Sequence, residues 1–401
     1  MEFISKPPIE LGPAMLILKA VFVSLTGIFL LIAFIVLRRW HRGRYFERLN
    51  QRTYAIRTQW DGIISGQIPS KSWRLKSLDC SIVEAILLDR IEMASPQELP
   101  HFLKPLRESG LLDMRILEAR RLRGWKQRTA LIALGRTRTP EAVPALAEAL
   151  DSPSKDTRIA AVRGLGRTGV IEAAVPLLDR YVAGQLRVPE HVLKNALADS
   201  CRSYPSILLG YLDQSGGPSR ELLARILGEL AGPDLLDELL ILTADALPEV
   251  RASAARALGN AKTSVALSAL SALASDPEWF VRLRAVVALG SLEHPGRIKP
   301  LLRALCDSNR NVRQRAGWAL ARVEPDLDHI LEQVIETKDK YALQAFISEL
   351  ERSGAVDKVV KLLELRIDDA PARSMLLDAL TNGKKHLEET ALTSAAAAAG
   401  R

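Results

Sequence analysis

A Leu-Gly pair recurs along this chain at a nearly constant step, and this repeat limits the possible folds more than any other feature of the sequence. The pair occurs at Leu134-Gly135, Leu165-Gly166, Leu227-Gly228, Leu258-Gly259 and Leu289-Gly290. Three of these intervals are 31 residues and one is 62. Leu197-Ala198 lies near the middle of the long interval, and Leu320 and Leu350 continue the series. A fixed period of this length predicts a stack of similar structural units.

Each period is typical of two short helices. Its first half approximates Val-Arg-x-x-Ala-Ala-x-Ala-Leu-Gly, as in residues 250–259, and places the apolar and alanine positions on one helix face. A turn and a second apolar helix follow, as in residues 295–305. Because one hairpin cannot bury its apolar face alone, neighbouring hairpins must stack. We therefore predict an all-α fold, an α-solenoid of about seven to eight helical hairpins.

Two charged columns keep the same period. They are the aspartates Asp245, Asp276 and Asp307 and the arginines Arg251, Arg282 and Arg313. Together with the Ala-Leu-Gly ending, they resemble the HEAT repeats, in the short form also found in the bilin-lyase subgroup, over about residues 125–365. This resemblance implies that the aspartates and arginines link adjacent units, and that the second helices line the concave face. It indicates a fold and leaves the function open.

An uncharged segment near the N-terminus predicts a membrane span. Residues 20–37 contain no charged side chain, and the apolar character extends back to Ala14 across the single Lys19. A helix over 14–37 is long enough for the roughly 30 Å hydrocarbon core. A cleaved signal peptide is the weaker interpretation, because the preceding stretch is nearly neutral and Arg38-Arg39 follow the apolar run.

Most of the net charge of +8 lies directly after this span. Residues 38–57 hold seven arginines against one acid, Glu47. The positive-inside rule then predicts a single-pass protein of the cell (inner) membrane, with residues 1–13 outside and the C-terminal body in the cytoplasm. Residues 38–60 predict a basic amphipathic helix that either contacts anionic lipid or only sets the topology. The candidate membrane-surface residues are Arg38, Arg39, Trp40, Arg42, Arg44 and Arg48.

The remaining segments complete the predicted organisation. Residues 61–124 are helical in pattern without clear register and predict a divergent cap on the first repeat. The solenoid is predicted over 125–382, followed by a low-complexity tail over 383–401. The three cysteines are more than a hundred residues apart and form no metal or disulfide motif, so we expect reduced, buried thiols.

The sequence contains no specific catalytic motif. The six histidines are scattered, and neither a phosphate-binding loop nor a nucleophile elbow occurs. We therefore expect no enzymatic activity, no metal and no cofactor. Two alternatives stay open: a lyase-type maturation enzyme, which the bilin-lyase resemblance implies, and a membrane-tethered nucleic-acid binder. The second is weakened because most of the positive charge is local to the juxtamembrane segment.

Charged bands on the second helices form the predicted binding site. Their sign alternates along the array, which fits a folded protein or peptide better than a phosphate backbone. The candidate residues are the acidic Asp234, Asp237 and Glu238, the basic Arg297, Lys299 and Arg303, and the acidic Glu332 and Glu336. We expect a membrane-anchored scaffold or adaptor whose partner is a protein, for example in an envelope or polysaccharide complex.

Overall fold

A computed structural model describes residues 11–261, 263–323 and 327–353. These residues are helical, with turns and short loops between the helices, and the chain divides into two compact units, residues 1–115 and 116–401. Most of the predicted outer segment 1–13 and all of the predicted tail 383–401 lie outside the described residues. An all-α fold is confirmed for the described part of the chain.

The first unit is dominated by one uninterrupted helix, α1 (Leu11–Thr58), of 48 residues. Its apolar part is exposed over residues 18–37, and the helix is long and apolar enough to cross a membrane. At 1.5 Å per residue the helix measures about 72 Å, roughly twice what a bilayer core requires. The predicted span and the predicted basic helix are therefore two parts of one continuous element.

Short helices surround the C-terminal end of α1. They are α2 (Trp60–Ile64), α3 (Lys71–Arg74), α4 (Ser77–Met93) and α5 (Leu99–Glu108). Helix α4 contacts α1, and its buried residues Val83, Leu87 and Ile91 form the core of this bundle. Arg52 on α1 binds the nearly buried Asp79 on α4 through two hydrogen bonds, and this pair fixes the end of the long helix. Helix α6 (Leu111–Arg121) begins at the end of this unit.

The second unit is a row of helical hairpins. Its first helices are α7 (Gly124–Arg136), α9 (Lys155–Thr168), α11 (Glu190–Ser200), α13 (Gly217–Leu230), α15 (Pro248–Ala261), α17 (Trp279–Ser291), α19 (Arg310–Leu320) and α21 (Lys340–Ser353). The second helices are α8 (Val143–Glu148), α10 (Ala174–Val182), α12 (Ile207–Asp213), α14 (Leu236–Leu242), α16 (Ala266–Leu273), α18 (Ile298–Leu305) and α20 (Leu327–Glu336). Short 3-10 turns precede α8, α10, α14 and α18. Within the described residues, seven hairpins and one further first helix agree with the predicted seven to eight units.

Small residues let neighbouring first helices approach closely. A Cβ on Gly166 of α9 would lie 2.4 Å from the Cα of Ala196 on α11, and one on Gly135 would lie 2.6 Å from the Cα of Gly164. No side chain fits at such distances, so glycine is required at these crossings. The repeated leucines Leu134, Leu165 and Leu258 are completely buried beside them. The recurring Leu-Gly pair is therefore the contact between adjacent units.

Candidate protein-binding surface

A ladder of ion pairs connects consecutive hairpins and holds their surfaces in register. Arg251 binds Asp276 of the next unit through Nε and Nη2 at 2.7 and 2.9 Å. Arg282 binds Asp307 through Nε and Nη2 in the same way, at 2.6 and 2.9 Å. The Nη1 atom of Arg251 also donates to the carbonyl oxygen of Asp245 at 3.0 Å. The structural role that the family resemblance implied for these residues is confirmed.

The environment of the ladder aspartates keeps them ionised. Burial raises the pKa of Asp276, but hydrogen bonds from Arg251 and from the backbone N–H of Glu278, with the nearby positive charges, outweigh this effect. The net result is a pKa below the ordinary aspartate value. The same opposing effects leave the pKa of Asp307 lowered. Arg313 ends the ladder differently, with its guanidinium 5.3 Å from the ring centroid of Tyr341.

The acidic residues of the first predicted band lie together in one hairpin. Asp234 lies in the 3-10 turn before α14, and Asp237 and Glu238 lie in the first turn of α14. All three are exposed, while Leu235 and Leu239 on the opposite side are buried. Carboxylates at a helix N-terminus also stabilise the helix through its dipole. The band is therefore a real surface feature, and it has a local structural role as well.

The basic band contains two different kinds of residue. Lys299 and Arg303 are exposed on α18 and have no polar partner within the described part of the chain. Arg297 is half-buried, and its Nη1 atom donates to the carbonyl oxygens of Gly290, at 3.0 Å, and of Leu292. Its guanidinium thus satisfies carbonyl groups at the end of α17. Lys299 and Arg303 are the members of this band that face solvent.

The second acidic band lies on α20. Glu332 and Glu336 are exposed there, and an oxygen of Glu332 lies 3.7 Å from Nδ1 of His329. Helix α20 contacts α18, so this band lies next to the basic one. The structure thus brings the predicted charges of opposite sign into neighbouring hairpins along the second helices.

The position of these bands relative to the curvature stays a prediction. Neighbouring first helices contact each other over most of their length, whereas neighbouring second helices contact each other much less.

The exposed face of the first helices is a surface that the sequence analysis overlooked. Arg128 and Ile132 on α7, with Ile159 and Arg163 on α9, line a groove of about 410 Å³. A signal was present, because the position two residues before each repeated leucine from Leu134 to Leu320 is never alanine or glycine, unlike the neighbouring core positions. This column holds Ile132, Arg163, Asn195, Arg225, Arg256, Val287 and Trp318.

The candidate membrane-surface residues follow the apolar part of α1 directly. Arg38, Arg39, Trp40, Arg42, Arg44 and Arg48 are all exposed. The Arg44 guanidinium lies 4.6 Å from the Trp40 ring centroid, a cation–π contact between residues one turn apart. Indole and guanidinium groups together suit the headgroup region of a bilayer.

Ile56, on the apolar side of residues 38–60, is only 4% exposed and is buried within the first unit. One expectation from the sequence is wrong. The cysteines are not uniformly buried, since Cys306 is exposed while Cys201 is buried. Burial raises the pKa of the Cys201 thiol to about 11, which leaves it protonated and unreactive at neutral pH.

Solved structures with a similar arrangement of helices include three stacks of helical repeats. An engineered protein is 17% identical, with 77% of this chain and 95% of that chain covered and a TM-score of 0.33. Kap121p is 14% identical over 76% of this chain and 41% of its own length, with a TM-score of 0.39. YibA of E. coli is 15% identical over 74% and 96% of the two chains, with a TM-score of 0.31. This chain thus spans less than half of Kap121p.

A comparison with curated protein sequences finds no match. The model of the HEAT repeats matches residues 118–198, 212–290 and 269–351, which together make up more than half of the chain. These segments cover hairpins of the second unit, and the last two include the hairpins joined by the Asp–Arg ladder. The chain belongs to the HEAT-repeat family.

Proposed function

We propose that this protein is a membrane-anchored scaffold that binds a protein partner through its HEAT solenoid. The observation that supports this proposal most directly is the row of hairpins itself. Its ladder of bidentate ion pairs holds in register the hairpins that carry exposed charges of alternating sign, on α14, α18 and α20. Such a surface suits a partner with a complementary charge pattern, because electrostatic complementarity determines register and selects among partners.

The long N-terminal helix supports the membrane anchor. Its apolar part is exposed throughout, as a lipid-facing segment must be. The arginines that follow favour an orientation with the C-terminal body in the cytoplasm and allow contact with anionic lipid at the inner face. Tethering raises the local concentration of a partner at the membrane, so that weak contacts with the solenoid suffice.

The lack of catalytic motifs in the sequence supports a binding role and not an enzymatic one. A partner within a membrane complex, such as an envelope or polysaccharide machine, agrees with the anchor and the solenoid. HEAT solenoids typically bind proteins, and the charge pattern here is compatible with that use.

The test is crosslinking in cells followed by purification of the tagged full-length chain from gently solubilised membranes. One variant combines Lys299→Glu with Arg303→Glu, and Arg297 is left unchanged because its guanidinium binds the backbone of α17. The matched control combines Lys155→Glu with Lys340→Glu, which changes the net charge equally at two exposed lysines outside the bands.

We expect one defined protein with the wild type and the control, and loss of that protein with the Lys299→Glu/Arg303→Glu variant. Recovery of no specific protein from wild-type membranes would contradict the scaffold function. Equal loss in both variants would show that net charge, and not the basic band, governs the interaction.

A further inference from the structure

Two grooves occupy equivalent positions on the first-helix face of the solenoid. The first lies between α7 and α9 and has Ile132, Ile159 and Arg163 among its lining residues. The second, of about 320 Å³, lies among α17, α19 and α21, with Leu283 and Trp318 among its lining residues; its one acid, Glu349, is paired with Arg352. Their positions correspond through the repeat, so both grooves open on the same side of the row of first helices.

Each groove combines apolar side chains with unpaired positive charge. The groove between α7 and α9 is lined by three arginines and one acid, Asp156. Arg128 and Arg163 have neither an ion pair nor a hydrogen bond among the residues that the structure describes. At the second groove, Arg315 is exposed and equally without a partner in the described residues, and the nearby Val287 is 42% exposed.

The helices between the two grooves differ, because their charges neutralise each other. Glu229 binds both Lys194, at 2.6 Å, and Arg256, at 3.1 Å. Arg225 binds Glu190 at 3.2 Å. The unpaired cations of this face are therefore concentrated at its two grooves, five first-helix steps apart. At roughly 9 Å per step, the separation is about 45 Å.

We propose that the first-helix face binds an extended acidic segment of a partner protein, with Arg163 and Arg315 binding its carboxylates. This inference rests on the proposed function, since it assumes that the solenoid binds proteins. Aliphatic side chains of the segment lie on Ile132 and Ile159 at one end and on Leu283 and Trp318 at the other. About 14 extended residues cover the distance between the grooves.

A polypeptide fits this surface better than a nucleic acid does. A phosphate backbone carries negative charge continuously, whereas the cations between the grooves are already paired with Glu190 and Glu229 and offer its phosphates no free partner. The apolar floor of each groove also offers phosphate no partner, whereas it is complementary to the side chains of a peptide that alternates acidic and aliphatic residues.

The test measures fluorescence anisotropy of a labelled synthetic peptide with the full-length protein in lipid nanodiscs. The peptide has about 20 residues of repeating Glu-Leu-Asp-Ile, and a second peptide replaces Leu and Ile by Ser. The protein variant combines Arg163→Glu with Arg315→Glu, both exposed and outside the ladder. The matched control is again Lys155→Glu with Lys340→Glu, which lies outside both grooves.

We expect saturable binding of the first peptide, weakened at least about tenfold by Arg163→Glu/Arg315→Glu and by less than about twofold in the control. The serine peptide should also bind about tenfold more weakly. Equal losses in both protein variants, or tighter and steeply salt-dependent binding of a DNA duplex, would overturn the proposal. A crosslinked partner that persists in the Arg163→Glu/Arg315→Glu variant would refute this inference alone and leave the scaffold function intact.

Discussion

Replacing Asp276 by alanine tests the energetic role of the Asp–Arg ladder. Asp276 is 8% exposed and accepts two hydrogen bonds from Arg251 and one from the backbone N–H of Glu278. The substitution leaves the mostly buried Arg251 guanidinium without its carboxylate and removes a turn-stabilising bond. Loss of one partner from a buried ion pair lowers the free energy of unfolding by about 3–5 kcal/mol. Because the Arg251 side chain keeps some contact with solvent, we expect a loss of about 3 kcal/mol.

Hydrogen–deuterium exchange of the full-length protein measures this loss locally, which suits a solenoid because each unit contacts only its neighbours. Each factor of ten in the local opening equilibrium corresponds to about 1.4 kcal/mol. A loss of about 3 kcal/mol should therefore speed amide exchange in α15 and α17 roughly a hundredfold, where exchange occurs through local opening. The control is Asp237→Ala, at an exposed carboxylate, with an expected change of about 0.5 kcal/mol or less. An acceleration below about threefold in α15 and α17 would refute the structural role of the ladder.

Three further predictions address the ladder, the helix crossings and the basic band. Acid should destabilise the solenoid, because the pKa of Asp307 is lower in the folded than in the unfolded chain. The stabilisation of the fold by this carboxylate is therefore complete above the unfolded pKa, near 4, and is lost as the pH falls through the lower folded pKa. Circular dichroism between pH 6 and about 2 measures this loss. Gly166→Ala should lower the free energy of unfolding by about 2 kcal/mol or more, because the new Cβ would lie 2.4 Å from the Cα of Ala196. A urea unfolding midpoint equal to that of the wild type would contradict this packing. Arg297→Glu should lower the thermal unfolding midpoint through loss of its hydrogen bonds to carbonyl groups, while Lys299→Glu leaves it nearly unchanged; equal midpoints would argue against that role.

The repeat units were predictable because their determinants are local and recur in phase. Leucine, glycine and alanine at fixed positions report the buried contact between adjacent first helices, and the sequence period alone locates it. Even the irregular unit around Leu197 forms its own first helix, α11. The Asp–Arg columns were recognisable by the same periodicity, although their pairing between units came from the family resemblance.

The partners of individual charges could not be predicted, because they depend on where a side chain points after packing. Arg297 and Arg303 look equivalent in the sequence, but one binds backbone carbonyl groups and the other is exposed to solvent. Ile56 fits the apolar stripe of a lipid-facing helix, yet it is buried within the first unit. The basic character of the first-helix grooves was hidden for a similar reason, since arginines such as Arg163 and Arg225 occupy equivalent repeat positions and only the second has an acidic partner.

The ladder also bears on how the two grooves could act together. Each ion pair joins one hairpin to the next, and with Arg220–Asp245 the ladder holds the helices from α13 to α19, most of those between Arg163 and Arg315, in a fixed register. A ligand that contacts both grooves then gains the second contact without ordering the solenoid, which lowers the entropic cost of binding. Asp276→Ala removes the Arg251–Asp276 ion pair, which lies between the grooves. It should therefore reduce the affinity for a long acidic peptide more than the affinity for a short peptide that reaches a single groove. Equal losses for the two peptides would mean that the grooves bind independently of the ladder.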